Sequence, residues 1–164
     1  MTHGRKAKAG PALSIDYRFA RFALRIRRSR RHGFGVFATE SIPRGRKVIE
    51  YTGERISLRQ NMPRYKKTWG PGGSKVGYVF MLDWNHFVDA SSGGSGAERV
   101  NHCCEPNLAV RRIRGHILFF SRRRIRKGEE LTLDYRLRPN PDPIPCRCGA
   151  AQCRGTINYP LSGA

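Results

Sequence analysis

The sequence predicts a mostly β domain. Three observations carry that expectation: many short apolar runs, glycine-bearing turns between most of them, and a single stretch with room for a helix. At 164 residues the chain fits one domain with a core of its own, and no internal repeat is visible.

Residues 1–11 are Lys, Arg, Gly and Ala without an apolar block, so residues 1–16 are expected to be a disordered basic tail. Phe22, Leu24 and Ile26 then alternate with Arg21, Arg25 and Arg27, the period of two that marks a half-buried strand. It runs into Gly33-Phe34-Gly35, where glycines allow a turn and a close approach to the main chain. Val36 to Ala38 resume as a strand. Ile42-Pro43-Arg44-Gly45 is a turn, and residues 47–54 form a strand that leaves through Gly53.

Residues 56–67 are the one helical candidate, interrupted by Pro63. Residues 70–77 read as a flexible loop. Residues 78–83 and 86–89 form a hairpin turning at Trp84-Asn85. A small-residue loop, 91–96, delivers the chain to Asn101-His102-Cys103-Cys104-Glu105-Pro106-Asn107. Residues 108–110, 116–121 and 130–135 are further strands, separated by turns at Arg114-Gly115 and Lys127-Gly128-Glu129. The prolines of 138–145 make a stiff linker to a cysteine-rich end. The expected divisions are therefore a tail (1–16), the main domain (17–137), the linker (138–145), a cysteine module (146–158) and a short tail (159–164).

The formal charge is +20, from 32 Lys plus Arg against 12 Asp plus Glu. Asp16 is the only acid before Glu40, and a second basic block spans residues 111–127. Such a field favours contact with DNA, RNA or another polyanion, and Arg suits phosphate better than Lys does. A solvated Arg-rich surface is the plainer alternative, and base-specific reading is not expected. Nothing resembles a secretory signal, and no apolar run nears the ~18 residues of a membrane span. A soluble intracellular protein is the expectation.

Five cysteines stand at 103, 104, 146, 148 and 153. The last three, as C-x-C-x4-C, sit in a Gly-, Ala- and Arg-rich segment that cannot build a core. Disulfides would order it, but the count is odd and two cysteines are adjacent. A tetrahedral zinc site needs four donors. The tail offers three, and either Cys103 or Cys104 is the fourth.

Together, Gly33-Phe34-Gly35, Glu50-Tyr51-x-Gly53-Glu54, Tyr78-x-Phe80, Asn101-His102-x-Cys104-x-Pro106-Asn107 and Gly128-Glu129-Glu130-Leu131-Thr132-x-Asp134-Tyr135 resemble a SET domain. The C-terminal cysteines resemble the post-SET zinc module. The likeness covers residues 24–157 in order and is shared with bare bacterial domains as well as chromatin enzymes. It implies small curved, β-clip-like sheets with a C-terminal pseudoknot, and a protein-lysine N-methyltransferase using S-adenosyl-L-methionine. The same likeness assigns Gly33, Phe34, Gly35, Tyr78, Asn101, the His102 main chain and Tyr135 to the cofactor. Tyr135 and Tyr78 become the catalytic residues, and Cys104, Cys146, Cys148 and Cys153 the zinc ligands, with Cys103 a free thiol.

Two departures follow. The family commonly has Arg-Phe where this chain has Glu98-Arg99, and Phe or Tyr where it has Leu133. Without a hydroxyl at Leu133, more than one methyl is expected to fit. The implied substrate is a basic, histone-like or nucleic-acid-bound protein, met in cytoplasm or nucleoid for a bacterial protein and on chromosomes for a eukaryotic one. Two alternatives remain at this level: an inactive SET-like module that binds nucleic acid through its arginines, and an unrelated zinc-stapled nucleic-acid binder.

Overall fold

The computed structural model describes residues 13–70, 72–73, 77–140 and 142–160. In chain order the strands are β1 (Leu24–Arg28), β2 (Phe34–Ala38), β3 (Lys47–Tyr51) and β4 (Glu54–Ser57), followed by helix α1 (Leu58–Trp69). Then come β5 (Val79–Met81), β6 (His86–Asp89), β7 (Asn101–His102), β8 (Leu108–Ile113), β9 (His116–Ser121) and β10 (Thr132–Leu133). They form four small sheets rather than one large one: β1-β2, β3-β9-β8, β4-β6-β5 and the parallel pair β10-β7.

The alternation seen in the sequence shapes β1. Leu24 is buried, Ile26 half-buried, and the arginines between and after them are exposed. The strand starts later than expected, because residues 17–19 form a turn and Ala20 makes only a single bridge to Ile49. Residues 13–16 were expected in the basic tail. Here the Asp16 N–H instead donates to the Ser95 carbonyl at 2.9 Å, and Ile15 lies against Gly96. Residues 1–12, the rest of that expected tail, lie outside the described residues.

Helix α1 also begins later than expected, since Ile56 is held in β4 opposite Phe87. Ser57 and Gln60 form a reciprocal capping box that sets the start at Leu58. The helix runs through Pro63 instead of breaking there; one backbone hydrogen bond is forfeited, and packing holds the remainder. Arg64 anchors it by pairing with Asp89 of β6 and, at 3.2 Å, with Glu54. The 70–77 loop falls partly outside the described residues. The expected hairpin is present, closed by the Leu82 N–H on the His86 carbonyl.

The shared core lies between the sheets. Val36, Ile42, Val48, Ile49, Leu108, Ile117, Phe119, Ile125 and Leu131 are sealed from solvent. Tyr51, Phe80 and Phe119 pack ring to ring at 5.2 to 6.0 Å between centroids. This core brings β7 and β10 side by side although some thirty residues separate them in sequence. No helix among the described residues is long and apolar enough to cross a membrane.

Candidate active site and metal centre

The Asn101 loop, which looked irregular in sequence, is partly a strand. Parallel pairing sets Asn101 beside Thr132 and His102 beside Leu133. Asn107 locks the same arrangement. Its Nδ2 donates to Glu129 Oε1 at 3.0 Å and to the Glu130 carbonyl at 2.8 Å, while its Oδ1 accepts the Thr132 N–H at 2.8 Å. Asn107 and Thr132 are buried and Glu129 and Glu130 half-buried, and every polar atom of the Asn107 amide has a protein partner in place of water.

Asn101 is itself only 7% exposed. Its Nδ2 donates to the carbonyls of His32 and Phe34, both at 3.1 Å, and to Glu130 Oε1 at 2.8 Å. Its Oδ1 takes no hydrogen bond from a described residue. Glu130 also accepts from the Ser29 hydroxyl at 2.7 Å and faces Arg31 Nε at 3.6 Å. The Arg31 Nη1 is buried with no partner among the described residues. Gly35 makes this cluster possible, because a Cβ there would lie 2.2 Å from Glu130 Oε1 and 3.0 Å from Asn101 Nδ2. Gly33, at φ +48°, turns the chain into β2, and Phe34 carries the Arg28 guanidinium 5.0 Å above its ring.

His102 sits between this cradle and the cysteines. Its Nδ1 accepts the Tyr135 N–H at 3.2 Å, so the ring proton is on Nε2, 3.4 Å from Cys104 Sγ. Burial pushes its pKa down to about 4, with Arg154 and Arg31 adding to the effect against Asp134; the ring is neutral at physiological pH. Tyr135 meets His102 edge-on, with centroids 5.3 Å apart. Part of the Tyr135 ring is exposed, but its hydroxyl turns inward and donates to the Val100 carbonyl at 2.9 Å. Burial, then the neighbouring Tyr78 and Glu130, hold that phenol well above its ordinary pKa, so it stays protonated.

Tyr78 lies at the start of β5. Its carbonyl accepts the Tyr51 hydroxyl at 2.5 Å and the Ala90 N–H at 2.9 Å. Arg99 stands 5.4 Å over its ring and donates to its hydroxyl at 3.5 Å. Glu98 is buried in the short 3-10 turn Ala97–Arg99. Its Oε2 accepts the Gly96 N–H at 2.9 Å, and burial raises its pKa. Leu133 is buried within the hydrophobic core.

Cys104, Cys146, Cys148 and Cys153 converge, with all four sulfurs within 4.8 Å of one another. The Cys104 sulfur is 3.8 Å from that of Cys146 and 4.0 Å from that of Cys153. A tetrahedron with Zn–S bonds of about 2.3 Å has edges of about 3.8 Å, so the donor set is the right size and type for zinc. Backbone N–H groups of Cys104, Arg154 and Gly155 point at three of these sulfurs at 3.4 to 3.5 Å. Burial opposes ionisation of Cys148, yet the N–H groups of Cys104 and Ala150 and the adjacent thiols outweigh it and hold its pKa below the thiol range. Cys103 is buried and stands outside the four.

Arg31 carried no mark in the sequence, and Glu130 and Asp134 stood in the Gly128–Tyr135 motif without an assigned role. Glu130 joins Asn101 and Ser29. Asp134 faces His102 Nδ1 at 3.7 Å. It takes both Arg154 nitrogens at 3.0 Å and so ties the cysteine module to the β10 end.

A SET-domain family model matches residues 33–136. Trithorax of Drosophila melanogaster, a histone-lysine N-methyltransferase, is 42% identical over 137 residues, covering 80% of this chain and 4% of that protein. The histone-lysine N-methyltransferase set-2 of Caenorhabditis elegans is 38% identical over 145 residues, 86% of this chain and 10% of its own length. The H3 lysine-4-specific histone-lysine N-methyltransferase of Schizosaccharomyces pombe is 42% identical over 134 residues, 79% of this chain and 14% of its own. The chain therefore spans a small part of these relatives. With the family model over more than half its length, and this identity over most of it, the chain belongs to the SET-domain family.

Proposed function

We propose that the chain is an S-adenosyl-L-methionine-dependent protein-lysine N-methyltransferase. The observation that carries this reading is the cradle at β2 and β7. It offers a buried cation, Arg31 Nη1, and a spare acceptor, Asn101 Oδ1, beside glycine backbone. An amino acid zwitterion needs that complement, its carboxylate meeting the guanidinium and its ammonium the amide oxygen. Gly33, Phe34 and Gly35 border the seat, with the His102 main chain, Tyr78 and Tyr135 completing it. When bound, the cofactor supplies an activated methyl on a positively charged sulfur.

The chain's own task is to align and dry the lysine amine. A free lysine has a pKa near ~10.4, and an aromatic, enclosed channel disfavours its ammonium. Tyr135 and Tyr78 act as the catalytic pair, through hydroxyl dipoles that orient the amine. Tyr135 is fixed by Val100, and Tyr78 is held by Arg99 above and by Tyr51 at its carbonyl. Neither needs to lose a proton. Leu133 brings no hydroxyl to the product-limiting position, so more than one methyl is added.

The four cysteines hold one Zn2+, which fastens the module of residues 146–158 to the Asn101 loop; residues 17–137 act as the catalytic domain and 138–145 as the linker. The substrate is a basic, histone-like protein, a class consistent with the names of the relatives. At +20 the enzyme repels a free basic peptide. A target already on DNA or RNA is therefore preferred, inside the cell and off the membrane.

Calorimetric titration with S-adenosyl-L-methionine tests the cradle. Wild type is expected to bind one equivalent, and Arg31→Gln to weaken it by about tenfold or more, the scale of a lost charge-assisted hydrogen bond. Absence of binding by folded wild type would reject the enzyme and favour an inactive nucleic-acid-binding module.

A further inference from the structure

The basic charge is not spread evenly over the folded surface. Residues 24–46 and 121–129 carry twelve Arg and Lys against two acids, Glu40 and Glu129. Both acids are engaged: Glu40 accepts the Ala23 N–H at 2.7 Å, and Glu129 takes up Arg123 and the Arg126 N–H. The fold makes these two segments one surface. Ile42 and Ile125 bridge with reciprocal backbone bonds at 2.9 Å, and the Gly128 N–H reaches the Ala38 carbonyl at 2.7 Å.

Side chains cross the same seam. Arg124 Nε donates to the Ser41 hydroxyl at 3.0 Å, and Arg27 Nη2 to the Gly128 carbonyl at 3.3 Å. Between the segments, Ser41, Arg124, Arg126 and Lys127 line an open concavity of about 590 Å³. Arg25, Arg27 and Arg44 of the first segment are exposed, and Arg27 reaches across the seam. Arg27 is stacked 3.8 Å over Phe37, so its guanidinium is held in place before any ligand arrives.

We propose that this face is a docking surface for the phosphate backbone of duplex DNA, with the Ser41–Lys127 concavity as its central phosphate seat. A hydroxyl, two guanidiniums and an ammonium around one concavity match a phosphodiester. The exposed large apolar side chains are the second observation. Leu13, Tyr17, Leu58, Met62, Tyr65, Met81, Trp84, Ile113, Tyr135 and Tyr159 all lie outside both segments. Within the two segments no large apolar side chain is exposed, so the concavity itself offers neither a stacking platform for single-stranded bases nor an apolar anchor for an acidic protein. Tyr17, whose hydroxyl donates to the Leu24 carbonyl at 2.6 Å, is an exposed aromatic at their edge. It also presents no helix for a major groove, so binding is indifferent to sequence. This surface deepens the nucleic-acid contact in the proposed function; Arg31 among its twelve cations belongs to the cofactor cradle, but the Ser41–Lys127 concavity uses none of the cradle residues.

The test is fluorescence anisotropy of the zinc-replete full chain on a duplex of about 20 base pairs, across a salt series and without cofactor. Six phosphate contacts give a slope of log K against log salt of roughly −5. Arg124→Ala/Arg126→Ala/Lys127→Ala is expected to flatten it by about three. Arg59→Ala/Lys66→Ala/Lys67→Ala, which removes the same charge from α1, is expected to leave the slope unchanged. Equal losses in both variants, or tighter binding of the single strand or of polyglutamate than of the duplex, would overturn the proposal. Methylation of a free peptide by the first variant stays at the wild-type rate, which separates failure of this surface from failure of the enzyme.

Discussion

At the scale of single residues, the site depends on where polar atoms are left over. Asn101 spends its amide hydrogens on His32, Phe34 and Glu130 and keeps its oxygen; Arg31 keeps one nitrogen. The Asn101 motif and the Gly33 turn were readable because glycine and Asn have distinctive chemistry at fixed spacing. Glu130 and Arg31 were not. A glutamate after Gly-Glu reads as turn chemistry, and one arginine among many has no local mark, so only the folded neighbourhood reveals their roles. Glu98 shows the converse. It stood out in sequence as a departure from the family's Arg, and the fold gives its carboxylate a local partner, the Gly96 N–H. Leu133 carries a prediction at this scale. Mass spectrometry of the reaction product is expected to show di- or trimethyl-lysine from wild type and a shift to monomethyl-lysine in Leu133→Tyr. Monomethyl product alone from wild type, unchanged by the substitution, would contradict the reading of that position.

At the scale of elements, local pattern located most strands, and the errors have physical causes. β7 is two residues long and exists only by pairing with β10, so periodicity could not find it, whereas β10 lies inside the strand expected over residues 130–135 and is shorter, Thr132–Leu133. The start of α1 depended on the Ser57 capping box, and its passage through Pro63 on tertiary anchoring. That anchoring is measurable. Burial works against the Asp89 carboxylate, but hydrogen bonds from Ser91 and Arg64 outweigh it and hold its pKa below 3.8. A lowered carboxylate pKa gives stability that is complete at neutral pH and lost as pH falls through the folded value. Urea denaturation is therefore expected to find Arg64→Ala about 1–3 kcal/mol less stable at pH 7. The difference fades as acid protonates Asp89, and a constant difference would rule the pair out as the anchor. The cysteine module gives a second element-scale prediction. Elemental analysis should find one zinc per chain, and chelation or Cys153→Ser should lower the melting temperature and expose residues 146–158 to protease. Metal-free protein that melts unchanged with chelator would refute the zinc assignment.

At the scale of the whole molecule, four small sheets share one core so that the two segments forming the candidate site, far apart in sequence, meet at β7 and β10. The cysteine cluster fastens the C-terminal module beside His102, whose ring touches both Cys104 and Tyr135. The candidate metal centre and the candidate active site are thus neighbours through a single neutral imidazole. The basic face formed by residues 24–46 and 121–129 is the surface proposed to meet nucleic acid. In the proposed function Tyr135 stands where methyl meets lysine. Transfer of labelled methyl from S-adenosyl-L-methionine to core histones and to a bacterial nucleoid-associated protein, wild type beside Tyr135→Phe, tests that placement. Label on lysine that falls by two or more orders of magnitude in the variant, with cofactor affinity retained, is the expected result. Label that persists undiminished in Tyr135→Phe, or is absent from wild type with cofactor bound, would contradict it.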